Sequence, residues 1–171
     1  MKLQKISIKV SISLFVLSAF VWAAGCDTQP ELKDVYKNDF LIGCAVNRFQ
    51  AYEMVPEEDA LITSQFDSIT PENDLKWEKL YPDANGYNFD AADKFVEFGQ
   101  KNNMFIVGHT LVWQHQTPRW IFQNTDGNDT DRETLLKRMK DHIFTVVGRY
   151  KGKVNGYDVV NEALEKDSAS L

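Results

Sequence analysis

The sequence predicts an α/β fold in which parallel strands alternate with helices. Four short apolar segments are separated by turn-forming residues and by longer segments of helical periodicity. The first of them is a continuous apolar run, which is typical of strands that are buried on both faces of a parallel sheet. Repeated strand–helix units of this kind indicate βαβ architecture. The predicted strands are residues 40–46, 66–70, 104–108 and 154–160.

The helices are predicted from start signals and from apolar periodicity. Pro56 and the acidic residues after it favour a helix start, whereas Asn85-Gly86 marks a turn between elements. The later two helices show apolar residues near the helical period, which predicts one buried face. The predicted helices are residues 31–38, 56–65, 91–102 and 130–148.

The four predicted strand–helix units are compatible with two architectures. They fit a small doubly wound domain, and they also fit the first half of an eight-unit barrel, which typically needs about 250 residues. The chain has 171 residues. We therefore expect either one small domain or the amino-terminal part of a longer barrel.

Composition narrows the classes of ligand. The chain has a net charge of −6, which argues against nucleic acid as a partner. The sequence contains no glycine-rich phosphate loop and no paired-cysteine metal motif, so neither a nucleotide nor a structural zinc ion is expected. Several aromatic residues fall in loop-like positions, which favours a flat, ring-shaped ligand.

The first 26 residues resemble a bacterial export signal. Three lysines among the first nine residues precede an apolar stretch, residues 10–24, that is rich in small side chains. This stretch is shorter than the roughly 20 residues that span a bilayer. It ends in Ala-Ala-Gly-Cys26, which resembles a lipoprotein box. An ordinary cleaved signal and an uncleaved anchor are the alternatives.

We expect residues 1–25 to be a lipoprotein-type signal peptide, with lipid attached to the sulfur of Cys26. Residues 27–39 would then form a tether and a short leading helix, and the protein would be exported to the bacterial cell envelope or secreted. The other cysteine, Cys44, lies in an apolar strand, where cysteine packs as a small hydrophobe. A disulfide is therefore not expected.

Polar and aromatic residues follow three of the predicted strands. Because the carboxyl ends of parallel strands meet at one edge of a sheet, these side chains are expected to line one cleft. The second strand is followed by Glu72, Asn73 and Lys76, the third by His109, Trp113, His115 and Gln116, and the fourth by Asn161 and Glu162.

Glu162 is the strongest candidate for acid–base chemistry. Burial behind Val159 and Val160 would favour its protonated form, because desolvation disfavours the charged carboxylate. A carboxyl group that keeps its proton near neutral pH can act as a general acid. The alternative is structural: Asn161 caps a helix, and Glu162 interacts favourably with the dipole of that helix.

The other candidates also have structural interpretations. Thr70 could cap a helix in which Glu72 and Lys76 form a favourable i,i+4 pair. His109 could be a hydrogen-bonded core histidine, and Trp113 could simply cover the end of the sheet. Their shared position at one edge is what favours a functional site.

Four segments together resemble a known family. They are residues 69–77 (ITPENDLKW), 108–113 (GHTLVW), 116–120 (QTPRW) and 157–163 (YDVVNEA). In this order and spacing they are similar to glycoside hydrolase family 10, the endo-1,4-β-xylanases. The resemblance implies a (β/α)8 barrel, here its first four βα units, that hydrolyses the β-1,4 bonds of xylan with retention of configuration.

The resemblance also implies a role for each candidate residue. Glu162 would be the acid/base, and Asn161 would hold the hydroxyl next to the reacting carbon. No metal or organic cofactor is implied, because two carboxyl groups suffice for this reaction. The remaining residues would bind the sugar: Glu72, Asn73 and Lys76 the neighbouring xylose, and His109, Trp113 and Gln116 the xylose at the point of cleavage.

Two features depart from the family pattern. Gln114 stands where the family usually has a histidine after the tryptophan, and His115 comes one position later. The family nucleophile is a glutamate on the seventh strand, which is expected beyond residue 171. Residues 40–171 would then be the amino-terminal half of a catalytic barrel and inactive alone, with an exposed strand edge. The rival interpretations are a related β-1,4-glucanase and a non-catalytic carbohydrate-binding lipoprotein.

Overall fold

The computed structural model describes residues 29–164, in which four strands alternate with helices. The predicted signal peptide and the lipidation residue Cys26 lie outside these residues. The strands are β1 Gly43–Val46, β2 Ser68–Pro71, β3 Phe105–Val112 and β4 Gly156–Val160. The helices are α1 Leu32–Tyr36, α2 Arg48–Ala51, α3 Pro56–Gln65, α4 Trp77–Leu80, α5 Asp90–Lys101 and α6 Arg132–Arg149, with 3₁₀ turns at Gln114–Gln116 and Arg119–Phe122.

The strands form one four-stranded sheet in the order β1-β2-β3-β4, and every pair is parallel. This arrangement confirms the predicted α/β class, with the strands in chain order as in part of a barrel. Within the described range, no helix combines the length and the apolarity needed to cross a membrane.

One face of the sheet is covered by helices. The register pairs Ile69 with Ile106, and both side chains are fully buried. Helix α5 approaches them at Gly99, where an added Cβ would lie only 2.6 Å from Ile106 Cγ1. Helix α6 packs against β3 on this side and contributes Val146 to the core, and Tyr150, which follows the helix directly, is also buried there.

The opposite face of the sheet is open over much of the described structure. In β1 the side-chain positions alternate, and Gly43 and Ala45 are exposed while Val46 is buried. The prediction that the first strand is buried on both faces is therefore wrong for the described residues. Gly108 packs on the ring of Tyr157 towards the core, so the next pair in register, His109 and Asp158, lies on the open face.

Strand β3 is four residues longer than predicted at its carboxyl end. It continues through His109 to Val112, and the peptide bond between His109 and Thr110 is cis. His109 is therefore part of the strand and does not follow it. The loop that carries Trp113 starts only after Val112, and the backbone N–H of Asn161 donates to the Val112 carbonyl at 2.9 Å. This hydrogen bond joins the end of β3 to the loop that follows β4.

Candidate active site

Most of the predicted site residues lie at the carboxyl edge of the sheet. Glu72, Asn73 and Lys76 follow β2, and Trp113 and Gln116 follow β3, the latter in the first 3₁₀ turn. Asn161 and Glu162 follow β4 directly, whereas His109 points from within β3 towards the open face. Three loops of successive parallel strands thus supply one rim, as predicted.

The carboxylate of Glu162 is held by two ring systems from the loop after β3. The indole N–H of Trp113 donates to Glu162 Oε2 at 3.0 Å, and Nε2 of His115 lies 3.8 Å from the same oxygen. The rings of Trp113 and His115 pack edge to face, with centroids 5.3 Å apart. Glu162 itself has a left-handed backbone, with φ of 49°, which directs the chain away from β4.

The surroundings of Glu162 differ from the sequence-based expectation. Val159 and Val160 are 52% and 55% exposed, and the Glu162 side chain is 43% exposed. The predicted burial behind the two valines is therefore wrong for the described residues, because β4 is hydrogen-bonded to a strand on one side only. Residues 161–164 contain no helical turn, and Glu162 has a positive φ, so the alternative in which Asn161 caps a helix is wrong for the described residues.

Lys76 connects the loop after β2 to Trp113. Its ammonium group is buried, donates to Asn73 Oδ1 at 3.0 Å, and lies 4.9 Å from the centre of the Trp113 ring. Burial lowers the pKa of Lys76, and the negative charge of Glu72 opposes that shift. Glu162, Trp113, Lys76 and Asn73 therefore form one continuous line of contacts along the rim.

Glu72 and Asn73 line a cleft with a volume of about 440 Å³. Both side chains are exposed, and the backbone N–H of Glu72 donates to the Val46 carbonyl at 2.9 Å, which ties this loop to the end of β1. The predicted alternative of a helix capped by Thr70 is wrong, because the next helix begins only at Trp77. The cleft is lined by Asn47, Arg48, Phe49, Glu72, Asn73, Asp74 and Lys79.

His109 is oriented by Asp158 on the neighbouring strand. His109 Nδ1 lies 3.0 Å from Asp158 Oδ2, and the hydroxyl of Thr110 donates to the Asp158 carbonyl at 2.8 Å. His109 is partly exposed on the open face, so it is not a core histidine. Sequence reasoning did not single out Asp158; a charged residue inside an apolar strand was the signal that could have found it.

His115 is the second residue whose position the motifs did not predict. The sequence placed it among the residues after the third strand, but the resemblance gave it no role; in the structure its ring packs on Trp113, and its Nε2 lies 3.8 Å from Glu162 Oε2. Gln116 follows it in the same turn, and the hydroxyl of Thr117 donates to the Trp113 carbonyl at 2.6 Å, which closes the turn. Within residues 29–164, no three side chains of His, Cys, Asp or Glu come together as a possible metal site.

The fold and this rim define a class of protein. A carboxylate beside indole and imidazole groups at the carboxyl edge of parallel strands fits one of the two carboxyl groups that a glycoside hydrolase of the α/β-barrel type uses. The chain belongs to glycosyl hydrolase family 10, whose family model matches residues 31–171.

Individual relatives agree with this assignment. A β-1,4-xylanase from Dictyoglomus thermophilum is 47% identical over 79% of this chain and 36% of its own length. A family 10 endoxylanase retrieved from a sugarcane soil metagenome is 48% identical, with a TM-score of 0.78 over 81% of this chain and 42% of its own. A second structure, of a mutant in complex with xylotriose, is 40% identical, with a TM-score of 0.76 over 82% of this chain and 42% of its own. The chain therefore spans less than half the length of these relatives.

Proposed function

We propose that the protein containing these residues is an endo-1,4-β-xylanase that hydrolyses xylan with retention of configuration. The observation that carries the proposal is the line of contacts from Glu162 through Trp113 and Lys76 to Asn73. It supports a trough in which a proton-transfer group stands at one end and sugar-binding groups continue away from it. The names of the relatives, and the xylotriose bound to one of them, support xylan and xylo-oligosaccharides as the substrate class.

In the proposed mechanism, Glu162 is the acid/base. It protonates the leaving glycosidic oxygen and later takes a proton from the water that attacks the glycosyl-enzyme intermediate. Retaining hydrolysis also needs a carboxylate nucleophile about 5–5.5 Å away, and that residue is proposed to lie beyond residue 171. The Trp113 N–H fixes the orientation of the Glu162 carboxylate towards the scissile bond.

The remaining residues bind the uncharged sugar through hydrogen bonds and ring contacts. Asn161 is proposed to hold the hydroxyl next to the reacting carbon, and His109, Trp113 and Gln116 to line that xylose. Glu72, Asn73 and Lys76 are proposed to bind the neighbouring xylose. The Asp158 carboxylate keeps the His109 ring turned towards the open face, which supports the role of His109.

The proposal is tested by Glu162→Gln in the whole protein. This change keeps the shape of the side chain but removes its acid function, so kcat on xylan is expected to fall about 10²- to 10⁴-fold. An aryl xyloside whose leaving group needs no protonation should lose much less of its glycosylation rate. Glu97→Gln is the matched control, since Glu97 is exposed on α5 and pairs with Lys94. Unchanged xylan hydrolysis by the Glu162 variant would refute the assignment.

Substrate class is tested separately. Initial rates on xylan and on a soluble cellulose distinguish a xylanase from a β-1,4-glucanase of a related barrel family. A faster rate on cellulose would favour the glucanase. Binding of xylan without hydrolysis by the whole protein would favour a carbohydrate-binding lipoprotein.

We also propose that the protein is exported and anchored to a membrane through lipid on Cys26. The proposal rests on the basic and apolar leader and on Ala23-Ala24-Gly25-Cys26. Metabolic labelling with a radioactive fatty acid is expected to mark the wild type and the Cys44→Ser control, but not Cys26→Ser. Equal labelling of the Cys26 variant, or no labelling of the wild type, would contradict the anchor.

A further inference from the structure

An exposed aromatic ring stands beside the cleft that contains Glu72 and Asn73. Phe49 lies in the first turn of α2, is 61% exposed, and lines this cleft, whereas Ala51 on the same short helix is buried. An aromatic side chain in the wall of a cleft that also contains polar groups is a candidate ligand contact. The sequence motifs did not include Phe49.

The backbone that carries Phe49 is fixed by a capping box. The side-chain oxygen of Asn47 accepts from the backbone N–H groups of Phe49 at 2.9 Å and Gln50 at 3.4 Å, and the Asn47 N–H donates to Gln50 Oε1 at 2.9 Å. Three backbone donors at the start of α2 are thereby satisfied. The ring of Phe49 is thus presented from a defined turn at the end of β1.

Arg48 and Asp74 form the polar part of the same wall. The Arg48 guanidinium donates to Asp74 Oδ1 from Nη2 at 2.6 Å and from Nε at 3.2 Å, and the Asp74 carboxylate is buried while Arg48 is largely exposed. A guanidinium has five donors, so these two hydrogen bonds leave others for a ligand. The buried carboxylate holds the guanidinium in place.

The charges along this wall favour an uncharged ligand. The positive charge of Arg48 is matched by Asp74, and Lys79 lies 3.8 Å from Glu78. Glu72 adds a negative charge at the inner end of the cleft. An aromatic face beside hydrogen-bonding groups suits a pyranose ring, which has an apolar C–H face and a hydroxyl edge.

We propose that Phe49 and Arg48 form an additional sugar-binding position, beyond Glu72 and Asn73 on the side away from Glu162. A xylose unit stacks on Phe49 while its hydroxyls accept hydrogen bonds from Arg48. This inference rests on the proposed xylanase function, because it extends the same trough. Only oligosaccharides that are long enough to pass Glu72 and Asn73 reach this position.

The test measures binding and not hydrolysis. Affinities of xylobiose, xylotriose, xylotetraose and xylopentaose are measured by calorimetry for the whole protein, of which this chain is a part, carrying Glu162→Gln, with and without Phe49→Ala. Phe49→Ala is expected to weaken the longer oligosaccharides about two- to tenfold, the range of a single aromatic contact, and to leave xylobiose unchanged. Phe49→Trp should restore the affinity for the longer ligands.

Tyr52→Ala is the matched control, because Tyr52 is an exposed aromatic at the other end of α2 and lines a different cleft. It should change no affinity. If the oligosaccharides bind but Phe49→Ala affects none of them, or affects xylobiose equally, the additional position is refuted and the xylanase proposal stands. If no xylo-oligosaccharide binds, both proposals are refuted.

Discussion

At the scale of single residues, the Glu162 carboxylate depends on a neighbour from another strand. Trp113→Phe keeps an aromatic ring near Lys76 but removes the N–H that donates to Glu162 at 3.0 Å. In the whole protein, kcat/KM on xylan is expected to fall about tenfold. A hydrogen bond to a charged group contributes about 1.5–3 kcal/mol, and the lower value applies because the pair is exposed.

The control for this prediction is Trp120→Phe. The indole nitrogen of Trp120 is buried without a hydrogen-bond partner among the described residues, so its removal should leave kcat/KM unchanged. Equal losses in the two variants would mean that the Trp113 contact is not specific to the reaction.

A second residue-scale prediction concerns the buried imidazole of His142. His142 is fully buried in α6, stacks on Trp77 with ring centroids 4.1 Å apart, and has Nδ1 3.0 Å from the Tyr87 hydroxyl. Burial lowers the pKa of His142 to about 4. The unfolded chain, with a histidine pKa of about 6.5, therefore binds a proton between these values that the folded chain does not.

Acid therefore destabilises the folded state through His142. The contribution of His142 to stability is full above about pH 6.5 and is lost as the pH falls towards 4, on the order of 3 kcal/mol in total. Urea unfolding midpoints at pH 7 and pH 5 measure this loss. His142→Gln should reduce the difference between the two midpoints, whereas exposed His115→Gln should keep it. An undiminished difference in the His142 variant would contradict the prediction.

At the scale of elements, the junction of β3 and β4 positions Glu162, the proposed acid/base. Gly108 packs so closely on β4 that an added Cβ would lie 2.4 Å from Tyr157 Cδ1, and Tyr157 in turn packs against the core. Gly108→Ala is expected to destabilise the fold by about 1–3 kcal/mol, the usual cost of overpacking. Gly156→Ala is the control, since an added Cβ there meets nothing within 4 Å. Denaturant midpoints that fall equally in both variants would contradict this view of the junction.

The elements also show how far the sequence could predict this fold. Helix α3 spans Pro56–Gln65 as predicted, because Pro56 and the acidic first turn mark its start clearly. Strand β3 was predicted too short, because His109 interrupts the apolar run although the strand continues to Val112. Helix α2 has only four residues, too few to show a helical period, and only the capping side chain of Asn47 marked it.

The sequence could predict those site residues that belong to local motifs. It could not predict contacts that depend on how neighbouring strands pair. The positions of Glu72, Trp113 and Glu162 after their strands follow from the apolar pattern. The pairing of Asp158 with His109 depends on the register of β3 and β4, which the sequence does not encode locally. The exposure of Val159 depends on what lies beyond β4, so its apolar character alone predicted burial wrongly.

At the scale of the molecule, the described four-stranded sheet supplies one side of the proposed xylan-binding trough. In the described residues its strands carry Glu72, Asn73 and Lys76 after β2 and Glu162 after β4, and β1 and β4 are each paired on one side. The chain matches 36% of the length of one xylanase relative and 42% of a solved endoxylanase. The proposed reaction therefore depends on residues that these four strands do not supply.

The 171-residue polypeptide expressed alone is expected not to hydrolyse xylan. Among residues 29–164, the side chains that contact the Glu162 carboxylate are those of Trp113 and His115, and neither is the second carboxylate that retention requires. Reducing-sugar release from xylan measures the activity. Joining the polypeptide to the part of a family 10 relative that follows its matched segment should create activity, and Glu162→Gln in that hybrid should remove it. Hydrolysis by the 171-residue polypeptide alone would show that it contains its own nucleophile.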